Sequence, residues 1–250
     1  MNILISNDDG YLAPGIQELA RRIRRFGNVT VVAPEQNHSG ASNSLTLNRP
    51  LSVRQVQEKV FFVNGTPSDC VHIALTGLLP QKPDIVLSGI NCGQNMGDDV
   101  LYSGTVAAAM EGFLFGCPSF AFSQVHSGWS CLDSAAEVAE YIVDNFIKSP
   151  LPAPFLLNVN IPNTTIDQLS GLVVTRLGRR HAAQSVIEQV NPRGETIYWL
   201  GAAGDARDST QGTDFWATSH NYVSVTPLQV DMTNYGMLDT VRTWCNSFQS

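Results

Sequence analysis

Short apolar runs alternate with helical stripes through the first two thirds of the chain, and this alternation limits the possible folds more than any other feature. Ile3-Leu4-Ile5, Val29-Thr30-Val31-Val32, Val60-Phe61-Phe62-Val63, Ile85-Val86-Leu87 and Phe155-Leu156-Leu157-Asn158-Val159 are runs of the kind needed by strands covered on both faces. After the first run, Ile16, Leu19, Ala20 and Ile23 share one helical face, with Pro14 near its start and Gly27 past its end. Further helical patterns span 68–79, 105–115 and 133–147. The expected architecture is a three-layer, Rossmann-like α/β fold: a mostly parallel sheet with helices on both faces. Beyond about residue 171 the composition turns to Thr, Gly, Asn and aromatics. Leu172-Val173-Val174-Thr175, Tyr198-Trp199-Leu200 and Tyr222-Val223-Ser224-Val225 predict a C-terminal extension of β-hairpins, an arm suited to self-association. The reading is one domain over 1–250, with a core of about 1–170 and an oligomerisation extension over 171–250.

Charge narrows the partners. The 250 residues carry 15 Lys plus Arg against 22 Asp plus Glu, a net −7, so no basic face is available for a nucleic-acid polymer. An anionic ligand would need a metal ion or backbone N–H groups. At 43% hydrophobic residues the chain can fill a large core. Five cysteines, Cys70, Cys92, Cys117, Cys131 and Cys245, show no Cys-x-x-Cys pair and read as reduced, mostly buried thiols. The N-terminus meets Asp8-Asp9 without a basic segment, which predicts a cytoplasmic protein. The longest apolar stretch, near 106–115, is broken by Glu111 and Gly112, which predicts no membrane partner.

In an open parallel sheet, ligands bind beyond the carboxyl ends of the strands. The loop after the first strand is Asn7-Asp8-Asp9-Gly10. Two neighbouring carboxylates repel by roughly 4 kcal/mol at about 4 Å and an effective dielectric near 20, so they call for a cation or a shared proton. An ordinary Asx turn is the competing reading. The loop after the second strand, residues 33–44, is rich in hydroxyls and amides. The loop from Ser88 to Asn95 sets amides among glycines and leads to Tyr102-Ser103-Gly104-Thr105 and a helix. Helix N-terminal N–H groups beside Ser and Thr hydroxyls form an anion site, although N-capping alone also explains Ser103. Oxygen-rich loops without a His or Cys cluster point to Mg²⁺ or Mn²⁺ rather than zinc. The chain has no Gly-x-x-x-x-Gly-Lys loop, Gly-x-Ser-x-Gly elbow, His-Glu-x-x-His pair or Gly-x-Gly-x-x-Gly turn.

Six ordered motifs resemble the SurE nucleotidases, the stationary-phase survival proteins: residues 3–10 (ILISNDDG), 39–47 (SGASNSLTL), 64–70 (NGTPSDC), 88–91 (SGIN), 102–112 (YSGTVAAAMEG) and 222–228 (YVSVTPL). The resemblance implies a divalent-metal phosphomonoesterase acting on nucleoside 5′- and 3′-monophosphates, with one Mg²⁺ or Mn²⁺ per subunit. It implies that Asp8, Asp9, Ser39 and Asn91 hold the metal, that Asn95, Ser103, Gly104 and Thr105 surround the phosphate, and that subunits join as dimers or tetramers. His38 stands where relatives often carry a fixed positive charge, and Cys92 falls at a variable position. Asp8 and Asp9 are the catalytic candidates, Asp8 acting as base toward water or as the nucleophile itself.

Two other functions compete. An aspartyl-phosphate phosphatase of the haloacid-dehalogenase type also uses acidic residues after its first strand, but its Asp-x-Asp spacing is absent. A non-catalytic nucleotide sensor would use the same crevice without turnover. Among the remaining polar residues, Arg21, Arg22, Arg24 and Arg25 read as a solvated helix face. Arg176, Arg179, Arg180 and His181 form a short basic cluster able to approach a nucleotide or a neighbouring subunit and are left out of the site, and His72 reads as a packed core residue.

Overall fold

The structure, a computed structural model, describes residues 1–126, 128–180, 185–201 and 204–246. In chain order the elements are β1 (Asn2–Ser6), α1 (Pro14–Ile23), β2 (Asn28–Pro34), β3 (Val53–Gln57), β4 (Val60–Val63), α2 (Pro67–Ile73), β5 (Ile85–Cys92), α3 (Gly104–Leu114), β6 (Ser119–Gln124), α4 (Leu132–Lys148), β7 (Leu156–Ile161), β8 (Gly171–Val174), β9 (Ile187–Val190), β10 (Thr196–Trp199), α5 (Asp214–Ser219), β11 (Tyr222–Leu228) and α6 (Leu238–Asn246). Nine strands form one sheet in the order β3-β4-β2-β1-β5-β6-β7-β11-β8. From β4 to β7 every neighbouring pair is parallel.

The apolar runs become strands because each feeds two cores. Ile3 and Ile5 enter the cluster under α1 and α4, whereas Leu4 between them enters the opposite cluster under α2 and α3. That is the three-layer arrangement expected from the sequence. α1 buries Ile16, Leu19, Ala20 and Ile23. α3 is built of small residues and lies close to the sheet: a Cβ on Gly112 would come within 2.8 Å of Val86 Cβ. This closeness brings the N-terminus of α3 level with the end of β1.

The extension differs from the expected hairpins. β8 and β11 run parallel to each other and extend the main sheet, β11 pairing antiparallel with β7. Their residues are half apolar because the sheet needs covering there. Val223 is buried in the α1–α4 core, and Thr226 is buried with its hydroxyl 2.7 Å from Thr175 Oγ1. Among the described residues, only β9 and β10 form a separate antiparallel hairpin. The helix expected over 68–79 keeps its α form only to Ile73 and then widens into a π turn, Ala74–Leu78. All five cysteines are free, but only Cys70 and Cys117 are buried, and Cys245 is exposed. Among the described residues no helix is long and apolar enough to cross a membrane.

Candidate active site

The chain lays β2 and β4 on one side of β1 and β5, β6 and β7 on the other, so the direction of winding reverses between β1 and β5. A crevice opens at such a reversal beyond the strand ends. Asp8 and Asp9 leave β1 there. Asn7 shapes the turn: its Nδ2 donates to Gly10 O at 3.0 Å and its Oδ1 accepts from Gly10 N at 3.2 Å, with Gly10 at φ +101°.

Asp8 is 4% exposed. Thr105 Oγ1, in the first turn of α3, donates to its Oδ1 at 2.5 Å, and His38 N–H donates to its main-chain oxygen at 2.8 Å. Gly104 leaves the room this requires, since a Cβ there would come 2.7 Å from Asp8 Cβ and 3.0 Å from Oδ2. Burial pushes the Asp8 carboxyl up to about 6; the Thr105 hydroxyl opposes this and the Asp9 charge adds to it. Asp9 is also raised by burial, against donation from Cys92 N–H and Asn37 Nδ2, each at 3.2 Å. None of the main contributions to either shift comes from a basic side chain.

The other expected residues fall into three groups. Asn91 stands at the end of β5, beside Cys92, with its Nδ2 donating to Gly93 O at 2.8 Å and its amide oxygen outside that bond. Ser39 is exposed and reaches Asp9 through Asn37, whose Oδ1 accepts from Ser39 N–H at 2.8 Å while its Nδ2 holds Asp9. Ser103 caps α3, its Oγ accepting from Val106 N–H at 3.0 Å, so the capping reading holds for that hydroxyl. Thr105 and Gly104 touch Asp8 directly, in addition to opening the helix N-terminus. Asn95 lies one step away, buried on a polar layer. Its Nδ2 donates to Ser123 Oγ at 2.8 Å, its N–H to Asn160 Oδ1 at 2.9 Å, and its carbonyl accepts from Asn158 and Asn160.

Sequence reasoning missed that layer. Asn158 and Asn160 are two residues apart in an otherwise apolar strand, which was the available signal: one face of β7 turns polar at its carboxyl end. It also missed Asn37, and Asp214, a buried carboxylate that accepts from Gly97 N–H and Gly178 N–H at 2.8 Å and so ties the loop behind Asn95 to the extension. Arg176, Arg179 and Arg180 are engaged with acids, at 2.7 Å to Asp208, 3.6 Å to Asp98 and 3.1 Å to Asp99; His181 lies outside the described residues. His72 is not a packed core residue but half-exposed, with Nδ1 2.8 Å from Glu111 Oε1. Arg22 and Arg25 pair with Glu140, which ties α1 and the turn after it to α4 at the surface, while Arg21 and Arg22 pair with Glu18 within α1.

A sequence profile described as Survival protein SurE matches residues 3–184. The chain belongs to the SurE family. A crystal structure of a SurE protein from Aquifex aeolicus is similar over the whole molecule: 41% identity, a TM-score of 0.87, and coverage of 98% of this chain and 99% of that one. SurE membership gives the general chemistry, a metal-dependent phosphatase or nucleotidase using a divalent cation. The residues here fit such an ion. Two adjoining carboxylates, raised by burial and not offset by a basic side chain, gain most from a cation. Among the described residues no three His, Cys, Asp or Glu side chains cluster as a metal site. An ion would therefore complete its shell from neutral oxygens and water, the preference of a hard divalent cation.

Proposed function

We propose that this SurE protein hydrolyses nucleoside 5′- and 3′-monophosphates to nucleoside and phosphate, with one Mg²⁺ or Mn²⁺ per subunit held by Asp8, Asp9, Ser39 and Asn91. The observation that carries the reading is the buried Asp8 carboxylate packed against Gly104 and Thr105 at the N-terminus of α3. An acid and the positive end of a helix thereby share one spot. A divalent ion bound at the carboxylates supplies charge neutralisation and polarises a phosphoryl oxygen.

The chain's own groups divide the remaining work. The positive end of α3 at Gly104 faces the phosphate, with Asn95 as a further donor held in place by Ser123 and Asn160. Thr105 fixes one oxygen of Asp8. Asp8 then removes a proton from the attacking water, or attacks phosphorus itself to form an aspartyl phosphate that water later hydrolyses. In either route the P–O bond to the nucleoside breaks, and the nucleoside oxygen leaves and takes up a proton. A trapped aspartyl phosphate separates the two. The exposed apolar side chains of the hairpin and α6, among them Val190, Trp199, Leu200 and Trp244, support assembly as a homodimer or homotetramer through the extension.

Purified protein should release phosphate from AMP and GMP, in 5′ and 3′ forms, with added Mg²⁺ or Mn²⁺, and chelator should abolish this. A short polyphosphate in the same panel tests a side activity. Nucleotide binding without turnover would overturn the enzyme reading in favour of a sensor.

A further inference from the structure

The motif spanning 64–70 touches none of the groups assigned above, yet it makes a connected set of hydrogen bonds to the loop that follows β2. Asp69 is the hub. Its Oδ1 accepts from Thr46 N–H at 2.8 Å and its Oδ2 from Thr46 Oγ1 at 2.6 Å and Thr66 N–H at 2.8 Å. Thr66 Oγ1 donates to Ser44 O at 2.6 Å, and Ser68 Oγ donates to Asn43 Oδ1 at 3.0 Å. Gly65 is part of the fit, because a Cβ there would lie 2.7 Å from Asp69 Oδ2. Burial works against ionisation of Asp69, yet donation from Thr46 and Thr66 holds its carboxyl below the ordinary range.

The loop so gripped has no helix or strand from 35 to 52. Its other fastenings toward the site include His38 N–H on Asp8 O, Asn37 Nδ2 on Asp9 Oδ1, Ser42 N–H on Tyr102 O and Asn43 Nδ2 on Met110 Sδ. Ser42 and Asn43 also line a cavity of about 290 Å³ that includes Ser103 and is walled by Val100 and Met110. We propose that Thr66, Ser68 and Asp69 act as a latch that holds this loop in place, with Asp69 a positioning residue for the cavity wall that receives the organic part of the phosphate ester. The inference rests on the phosphomonoesterase reading.

Thr46→Val tests it, because the change removes one latch hydrogen bond and leaves the cap of α2 intact. Amide exchange over 39–46 should quicken roughly tenfold, and KM for AMP at saturating Mg²⁺ should rise about five- to tenfold with kcat within about twofold. Thr46→Ser should restore both values, and Ser68→Ala should shift them in the same direction. Unchanged exchange, or faster exchange with unchanged KM, would overturn the latch. A wild-type protein inactive on every phosphomonoester would sink the function and with it the positioning role, while the exchange data would show whether the loop is held.

Discussion

Asp8 is 4% exposed and in contact with α3, whereas Trp199 and Leu200 on the β9–β10 hairpin are 59% and 91% exposed. At the carboxyl edge of the central strands, polar groups are buried, some paired and some, such as Ser6 Oγ, Ser88 Oγ and Asn158 Oδ1, without a hydrogen-bonding partner; in the hairpin, apolar groups stand in water. The edge carries a charge the fold does not neutralise, and the hairpin carries surface the fold does not cover. Each region is thus short of one component. The edge calls for a cation, and in the proposed assembly another subunit would cover the hairpin.

The largest effect should come from depriving the edge of its carboxylates. Asp9→Ala is expected to lower phosphate release by about 10³-fold or more while the far-ultraviolet circular dichroism stays unchanged. Near-normal turnover would remove Asp9 from the site and erase the contrast with the hairpin.

Gly104→Ala comes next. Its Cβ would press on Asp8, so turnover should fall about 10²-fold with a stability loss of about 1–3 kcal/mol, read by kinetics and urea unfolding.

At the hairpin, Trp199→Ser combined with Leu200→Ser should shift the sedimentation coefficient of the protein from dimer or tetramer toward monomer, with fold retained. A wild-type monomer would break the comparison from the other end.

The smallest effect is on stability. The Asp8 carboxyl is raised in the folded state from its ordinary value of 3.8 to about 6, so the metal-free fold favours the protonated acid. Stability is lost as pH rises through about 6. The cost approaches about 3 kcal/mol above neutrality. Metal-free protein should therefore melt several degrees lower at pH 8 than at pH 5, and Asp8→Asn should flatten that slope.

Much of this was readable in the sequence, and the boundary has a physical basis. Most central strands announce themselves because burial on both faces leaves no polar alternation. β6 does not, because Ser119, Ser123 and Gln124 shorten its apolar run, and it was not read as a strand. Asp8-Asp9 stand out because adjacent carboxylates after an apolar strand are costly without a partner. α1 and α4 follow from one-sided apolar stripes, and the fold finds Ile16 and Leu19 buried. What stayed hidden depends on partners distant in sequence. β11 looked like a hairpin strand because only its pairing with β7 and β8, more than 45 residues earlier, makes it part of the sheet. Asn158 looked like an ordinary strand residue and Asn160 fell outside the expected strand until Asn95 was brought against them, and His72 looked apolar by context until Glu111 supplied its contact. Composition could not show that Gly104 is needed for space as much as for an anion, because that need is set by Asp8, which lies 96 residues before it.

The most direct test is titration of Mn²⁺ into metal-free protein, followed by calorimetry or electron paramagnetic resonance, for the wild type and for Asp9→Ala. One equivalent bound per chain in the wild type, weakened at least about 100-fold in the variant, is the expected result. Equal binding by both proteins, or none by the wild type, would show that the carboxylate pair beyond β1 does not hold a metal.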